Sequence, residues 1–180
     1  MKRIPFAVLT LALVTVACAK KNGPETPAPA STPASSPATD NGEAERARRE
    51  AEERARREAM ARRMATLSER IYFSYDRSDI STESATVLQA KLPVLREAQS
   101  IRLRIEGHAD ERGSLEYNLA LGLRRAQAVR DYLAGFGIDA SRLTIESFGE
   151  DRPLDTTGSE QAWARNRRAE FISTGMTASR

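Results

Sequence analysis

After residue 70, short runs of alternating or aromatic residues predict four β-strands. In the second run, Ile101, Leu103 and Ile105 alternate with charged residues, a pattern typical of a strand with one side facing water. The other runs are aromatic or β-branched and are followed by polar or glycine-containing turns. The predicted strands cover residues 71–75, 101–106, 143–148 and 169–173.

Two longer stretches carry apolar residues at helical spacing. The first begins near Thr82, ends near Ala98 and contains Pro93, which predicts a kink. The second covers residues 115–134. With a short helix before the last strand, the order is β-α-β-α-β-β, which predicts an α/β (α+β) domain whose helices pack on one mixed four-stranded sheet.

The start of the chain has the composition of an export signal. Lys2 and Arg3 precede an uncharged stretch at residues 4–16. This stretch would extend only about 20 Å as a helix, less than the ~30 Å core of a bilayer, so it does not predict a membrane span. Cys18 is the only cysteine, which excludes an intramolecular disulfide. We expect a signal peptide over 1–17, followed either by a lipidated Cys18 or by an incidental cysteine.

Two segments without a hydrophobic core precede the predicted domain. Residues 18–42 contain five prolines among Ala, Ser and Thr, which predicts a disordered tether with a reach on the order of 70 Å. Residues 43–70 contain nine arginines and seven glutamates, and Glu-to-Arg pairs four residues apart favour a solvated helix. Alanines at every fourth position leave a helical partner open as an alternative. The folded domain is predicted over 71–174, with a tail at 175–180.

Composition excludes several classes of function. The net charge of the chain is +3, and residues 71–180 hold 15 basic against 16 acidic side chains, so a nucleic-acid footprint is not predicted. His108 is the only histidine and has no neighbouring cysteine, so we predict no metal site. Neither a Ser-His-Asp arrangement with an oxyanion loop nor a glycine-rich phosphate loop is present. The sequence therefore predicts a protein that is not an enzyme and holds no cofactor.

Two charged residues, Asp110 and Arg125, stand at positions where a charge has no obvious structural role. Asp110 lies in the glycine-bounded loop 107–113. On a helical wheel, Arg125 lies about 40° from Leu121, inside the apolar arc of the second long helix, whereas Arg124 points to solvent. Arg125 therefore needs an anion. Asp110 and Arg125 either pair with each other or with nearby backbone, or they are held apart and bind a ligand that carries both an ammonium and a carboxylate.

The motifs around these two charges resemble those of a known family. They are GHADERG at 107–113, EYN at 116–118, LG at 121–122, RRA at 124–126, SFG at 147–149 and NRRAE at 166–170. In this order, over about residues 70–174, they resemble the OmpA-like domain family, in particular the peptidoglycan-associated lipoproteins of Gram-negative bacteria. The resemblance implies an OmpA-like fold that binds the meso-diaminopimelate of uncrosslinked peptidoglycan stems non-covalently.

The same resemblance implies which residues bind the ligand. Asp110 and Arg125 fall on the two principal ligand positions of the family. Further pocket positions are matched by Tyr75, Asp76, Arg112 and Leu121. Arg167 and Arg168, with Trp163 just before them, are expected to close the domain, and a position at the pocket edge is the alternative for one arginine.

The region before Cys18 resembles a bacterial lipobox. This implies cleavage before Cys18, lipid attachment there and an outer-membrane location that faces the periplasm. The resemblance further implies a tether between outer membrane and cell wall within the Tol-Pal system, which serves envelope integrity and cell division, with TolB and other Tol proteins as partners. The alternatives are an OmpA-like lipoprotein outside the Tol system, or the targeting part of a murein-processing enzyme, for which no segment outside 71–174 is large enough to hold a catalytic core.

Overall fold

The computed structural model describes residues 40–175, with side chains from residue 42 onward. The predicted α/β class is confirmed, because this part of the chain forms four α-helices and one four-stranded sheet. The helices are α1 (Asp40–Ser68), α2 (Thr82–Glu97), α3 (Leu115–Gly135) and α4 (Glu160–Asn166). The strands are β1 (Ile71–Tyr72), β2 (Arg102–His108), β3 (Leu143–Gly149) and β4 (Arg168–Thr174), with a 3-10 turn at Ala140–Arg142 before β3.

The sheet is mixed and has the strand order β1-β4-β2-β3. The inner strand β2 is parallel to β3 and antiparallel to β4, and β1 pairs antiparallel with β4. α3 packs against β2 and β3, while α2 contacts β1 and α3. The core between helices and sheet consists mainly of aliphatic side chains, among them Leu88, Leu92, Leu95, Leu103, Ile105, Val129 and Leu133.

α3 lies directly on the sheet where two glycines face each other. A Cβ atom on Gly107 would lie 1.8 Å from the carbonyl oxygen of Gly122, and one on Gly122 would lie 2.3 Å from Ser147 Oγ. Because no side chain fits at these distances, glycine is required at both positions. This close approach brings Arg125, one turn further along α3, within 2.7 Å of the carbonyl oxygen of His108 at the end of β2.

The first strand ends at Tyr72 and not at Tyr75 as predicted. Beyond it, the backbone N–H of Arg77 donates to the carbonyl oxygen of Ser74 at 3.2 Å and closes a turn. Asp76 in this turn has a φ of 52°, a left-handed conformation that aspartate adopts more readily than most residues. An aromatic run does not reveal such a turn, because aromatic residues are as common at the rim of a site as in a strand.

The end of α1 packs against the domain. Its solvated part carries the expected ion pairs between residues four apart, but Leu67 is fully buried in the domain core. Buried Lys91 of α2 donates to the carbonyl oxygens of Thr66, Leu67 and Glu69 at 2.7 to 3.1 Å. An ammonium at this position stabilises the carbonyl groups that end a helix. α1 begins at Asp40, three residues before the predicted start, and its last turn contributes to the fold that was predicted to begin at residue 71.

Replacing Leu67 with Ala is expected to lower the free energy of unfolding by about 2 to 5 kcal/mol, because the substitution leaves a cavity in the core. Met64 is 38% exposed on the same helix, so Met64→Ala serves as the matched control and is expected to cost much less. Urea denaturation of the two variants measures the difference. A loss in Leu67→Ala no larger than that in Met64→Ala would contradict the burial of Leu67 in the cooperative core.

Several predicted segments lie outside the described residues. They are the signal peptide at 1–17, the lipidation residue Cys18, the tether up to residue 39 and the tail from residue 176. Their roles stay predictions. Between residues 40 and 175, none of the helices combines the length and the apolar character that crossing a membrane requires.

Candidate ligand-binding site

All six residues predicted to bind the ligand surround one cavity of about 220 Å³. They come from three places: the turn after β1, the loop after β2 and the first half of α3. The lining consists of Tyr75, Asp76, Asp110, Arg112, Gly113, Tyr117, Asn118, Leu121 and Arg125. The structure thus brings the predicted residues together, while their role in binding stays a prediction.

Asp110 pairs with two arginines, and neither of them is Arg125. Its side chain is only 4% exposed. The backbone N–H and Nε of Arg112 donate to Oδ1 at 3.2 and 3.1 Å, and Nη2 of Arg112 donates to Oδ2 at 2.7 Å. Arg167 Nη1 donates to Oδ2 at 3.2 Å. Burial raises the pKa of Asp110, but the hydrogen bonds from Arg112 and Arg167 outweigh it and hold the pKa below its usual value, so Asp110 is ionised at neutral pH.

Arg125 is fully buried, and its contacts are to backbone carbonyl groups. Nε donates to Arg77 at 2.9 Å, Nη1 to His108 at 2.7 Å and Nη2 to Ser74 at 3.2 Å. These contacts use three of the five N–H groups of the guanidinium. Burial lowers the pKa of Arg125 to about 10, an effect that the nearby Asp110 opposes, and the side chain stays cationic at neutral pH.

The distinction that the helical wheel makes between two adjacent arginines is confirmed, because Arg125 is buried and Arg124 is exposed. No Asp or Glu among residues 42–175 forms a salt bridge with Arg125, and its charge is met there by carbonyl dipoles and by the ring of Phe73, whose centre lies 5.2 Å from the central carbon of the guanidinium. Of the alternatives that the sequence left open, the direct Asp110–Arg125 pair is not formed, whereas the contact of Arg125 with nearby backbone is. Arg125 instead fixes the turn after β1 and the end of β2.

The guanidinium of Arg112 lies between two aromatic rings. Its central carbon is 4.2 Å from the ring centre of Tyr75 and 4.2 Å from that of Trp163. The side chain is 30% exposed, and Nη1 is 3.5 Å from Oε2 of Glu160 in α4. Trp163 is held in turn by a hydrogen bond from its Nε1 to Glu111 at 3.0 Å. Cation–π contacts of this kind stabilise Arg112 in its position next to Asp110.

Arg167 is a site residue that the sequence assigned only as an alternative. It is 7% exposed and donates to the carbonyl oxygen of Phe73 at 3.1 Å, to Asp110 at 3.2 Å and to Glu160 at 2.9 Å. Arg168 differs, since its Nε donates to Glu170 at 2.7 Å. The only signal in the sequence is the pair of arginines directly before a strand, which does not reveal that one of them contacts Asp110.

Two further residues of α3 belong to the site, although the sequence did not assign them to it. Asn118 is 1% exposed and donates to the carbonyl oxygens of Asp110 at 3.1 Å and Arg112 at 3.3 Å, so it fixes the loop after β2. The hydroxyl of Tyr117 donates to Asp76 and joins α3 to the turn after β1. The Glu-Tyr-Asn motif thus connects both loops of the cavity.

Residues 72–167, more than half of the chain, match the OmpA family. The chain belongs to the OmpA family. The resemblance carried by the sequence motifs is thereby confirmed, and the cavity described above lies within the OmpA-family domain.

Similar proteins with known names share this domain. The chain is 44% identical over 99 residues to the peptidoglycan-associated lipoprotein of Haemophilus influenzae, an alignment that covers 55% of this chain and 65% of that protein. It is 46% identical over 100 residues to that of Pseudomonas putida, covering 56% and 60%. The crystal structure of the peptidoglycan-associated lipoprotein from Burkholderia pseudomallei matches with a TM-score of 0.57 and 34% identity, over 58% of this chain and 89% of that one. The chain thus spans about three fifths of the length of the curated relatives.

The opposite face of the sheet holds three groups that could in principle bind a metal ion: Glu106, His108 and Glu170. Their carboxylates already face arginines, since Arg104 lies 2.7 Å from Glu106 and Arg168 lies 2.7 Å from Glu170. Within the described part of the OmpA-family domain, these arginines supply the positive charge that a cation would bring.

His108 is 1% exposed, and burial is the main cause that lowers its pKa to about 4.

The pKa of His108 predicts a pH dependence of stability. An unfolded histidine titrates near pH 6.5 and the folded one near 4, so the contribution of His108 is present above about pH 6.5 and is lost as the pH falls toward 4. Because His108 is the only histidine, its ring proton signals in an NMR titration report it without ambiguity. A midpoint at 6 or above would contradict the burial of this ring. In His108→Gln, the loss of stability between pH 6.5 and 4 is expected to be smaller than in the wild type.

Proposed function

We propose that this chain is a cell-envelope lipoprotein that binds peptidoglycan non-covalently through the cavity around Asp110 and Arg125. The observation that carries the proposal is that these two opposite charges line one cavity without pairing with each other. The names of similar proteins, which are peptidoglycan-associated lipoproteins, support the same ligand.

The ligand group that fits this charge distribution is the free end of meso-diaminopimelate, where an ammonium and a carboxylate are attached to one carbon. The ammonium donates to Asp110, which is ionised and lies at the wall of the cavity. The ligand carboxylate lies toward Arg125. This arginine forms no salt bridge with a carboxylate of the described residues, and its three hydrogen bonds to carbonyl groups leave two of its N–H groups. Leu121 offers an apolar wall to the methylene groups, and Tyr75, 59% exposed, lies at the mouth.

Binding without catalysis is part of the proposal. The described lining of the cavity contains no serine, cysteine or histidine, so it lacks the Ser-His or Cys-His pair that many amidases and peptidases use. A cavity of about 220 Å³ also suits one amino-acid end group and not a polymer chain in a catalytic groove. The murein-processing alternative therefore receives no support from the site.

The proposal includes an anchor and partners. Lipid on Cys18 holds the chain in the outer membrane, the proline-rich segment spans part of the periplasm and the OmpA-family domain holds the cell wall. TolB and the other Tol proteins are proposed partners on the strength of the family resemblance, and a lipoprotein outside the Tol system differs only in these partners. Palmitate labelling of wild type and Cys18→Ser tests the anchor, and equal labelling would refute it.

Co-sedimentation of the full chain with purified diaminopimelate-type peptidoglycan tests the proposed function. We expect the chain to pellet with the polymer and to be released by an excess of the soluble tripeptide L-alanyl-γ-D-glutamyl-meso-diaminopimelate. A chain that stays in the supernatant, or that pellets but is not released by the tripeptide, would refute binding through this cavity.

A further inference from the structure

The carboxylate of Asp110 has no acceptor position left for a ligand. Three N–H groups of Arg112 and one of Arg167 occupy its two oxygens. A carboxylate has about four lone-pair positions, so these four donors use its full capacity. An incoming ammonium therefore binds Asp110 only if one of the present donors leaves.

Arg112 is the donor that is free to leave. Arg167 is 7% exposed and is also fixed by Phe73 and Glu160, and the backbone N–H of Arg112 belongs to the loop itself. The side chain of Arg112, by contrast, is 30% exposed and contacts Asp110 from the open side. Its departure would free one position on each oxygen of Asp110.

A second acceptor for Arg112 is already in place. Oε2 of Glu160 lies 3.5 Å from Arg112 Nη1, whereas Oε1 of Glu160 is held at 2.9 Å by Arg167. The rings of Tyr75 and Trp163 lie 4.2 Å from the guanidinium on either side. A short movement of the Arg112 guanidinium next to the two rings thus exchanges Asp110 for Glu160 as its carboxylate partner and keeps the cation–π contacts.

We propose that Arg112 occupies Asp110 in the unliganded protein in place of the ligand ammonium, and that it moves to Glu160 when the ligand binds. Glu160 is then a positioning residue, which acts on the ligand through Arg112 and also holds Arg167. Displacement of Arg112 also restricts the ligand, since a neutral donor compensates an ionised carboxylate less well than a guanidinium does. This inference rests on the proposed function, because it concerns the same cavity.

Calorimetric titration of the full chain with the tripeptide L-alanyl-γ-D-glutamyl-meso-diaminopimelate tests the exchange. Arg112→Met removes the competing guanidinium and keeps an apolar side chain between the rings, so the tripeptide is expected to bind about tenfold more tightly than to wild type. Glu160→Gln removes the negative charge of the second acceptor and is expected to weaken binding about two- to fivefold. In the double variant, Glu160→Gln is expected to have a smaller effect, which acts through Arg167 alone, because Arg112 is absent.

Binding to Arg112→Met that is no tighter than to wild type would overturn the exchange, as would an equal effect of Glu160→Gln with and without Arg112. Arg112→Gln repeats the test if Arg112→Met does not fold, and urea denaturation checks both. Glu111→Gln is the matched control, because glutamine keeps an oxygen that accepts from Trp163 and Glu111 forms no hydrogen bond with Arg112. If wild type does not bind the tripeptide, or if Asp110→Asn binds it as tightly, the proposed function fails independently of Arg112.

Discussion

Asp110→Asn is expected to weaken binding of diaminopimelate-type peptidoglycan by about 100-fold or more, because it removes the one buried carboxylate that faces the cavity. Truncating one partner of a buried, hydrogen-bonded charge pair typically costs about 2 to 5 kcal/mol of binding free energy. Asparagine has the same shape but carries no charge, so the cavity keeps its form while the attraction for an ammonium is lost. Co-sedimentation over a range of peptidoglycan concentrations measures the effect.

The same substitution affects the fold to a smaller degree. Arg167 keeps its bonds to Phe73 and Glu160 but loses a charged partner, which we expect to lower the free energy of unfolding by about 1 to 3 kcal/mol. Glu111→Gln, which neutralises the adjacent exposed carboxylate, is the matched control for both measurements and is expected to bind as wild type does. If the Asp110→Asn variant is folded and pellets with peptidoglycan as well as this control does, the role of Asp110 in binding is contradicted.

Arg125→Met is expected to lose both stability and binding. The substitution removes a donor from the carbonyl oxygens of Ser74, Arg77 and His108, at about 1 to 3 kcal/mol for each group that is left buried and unpaired. Ser74 keeps the backbone N–H of Arg77 as a donor. We expect a loss of about 3 to 5 kcal/mol in the free energy of unfolding, together with the loss of peptidoglycan binding. Urea denaturation and co-sedimentation measure the two effects.

Arg124→Met supplies the comparison, since Arg124 precedes Arg125 on the same helix but is exposed. It is expected to change stability by no more than about 0.5 kcal/mol. Equal effects of the two substitutions would contradict the separate roles of the two arginines. Arg125→Lys separates charge from geometry, because lysine keeps the positive charge but lacks the planar guanidinium whose Nε and two Nη atoms each reach a different carbonyl group.

The sequence was sufficient to predict which of these two arginines is buried. Helical periodicity over 115–134 is strong, and a difference of one residue changes the direction of a side chain by about 100°. The same wheel was less accurate at its edge, since it also placed Leu115 and Leu119 in the apolar arc, and these residues are 44% and 36% exposed.

The partners of Asp110 could not be predicted from the sequence. Asp110 and Arg167 are far apart in the chain and meet only because the antiparallel pairing of β2 and β4 brings the end of β2 next to the start of β4. Local patterns carry no information on such contacts. The family resemblance supplied Arg112 as a pocket residue, but not its position between Tyr75 and Trp163.

The boundary of the folded domain was also beyond the reach of sequence patterns. α1 is polar on nearly all of its surface, so it has the composition of a helix that faces water on every side. One leucine near its end, Leu67, and the buried Lys91 of another helix connect it to the core. Leu67 is the only buried side chain of α1 from residue 42 onward, and Met60, Met64 and Leu67 form too short a periodic run to predict that the helix packs on the domain.

The most direct test of a binding site for the free end of diaminopimelate is a calorimetric titration of the full chain with two tripeptides. L-alanyl-γ-D-glutamyl-meso-diaminopimelate and L-alanyl-γ-D-glutamyl-L-lysine both carry the distal ammonium, and only the first carries the distal carboxylate that is proposed to lie toward Arg125. A site that holds the distal carboxylate is expected to bind the diaminopimelate tripeptide and to bind the lysine tripeptide at least about tenfold more weakly. Equal affinities for the two tripeptides would contradict such a site.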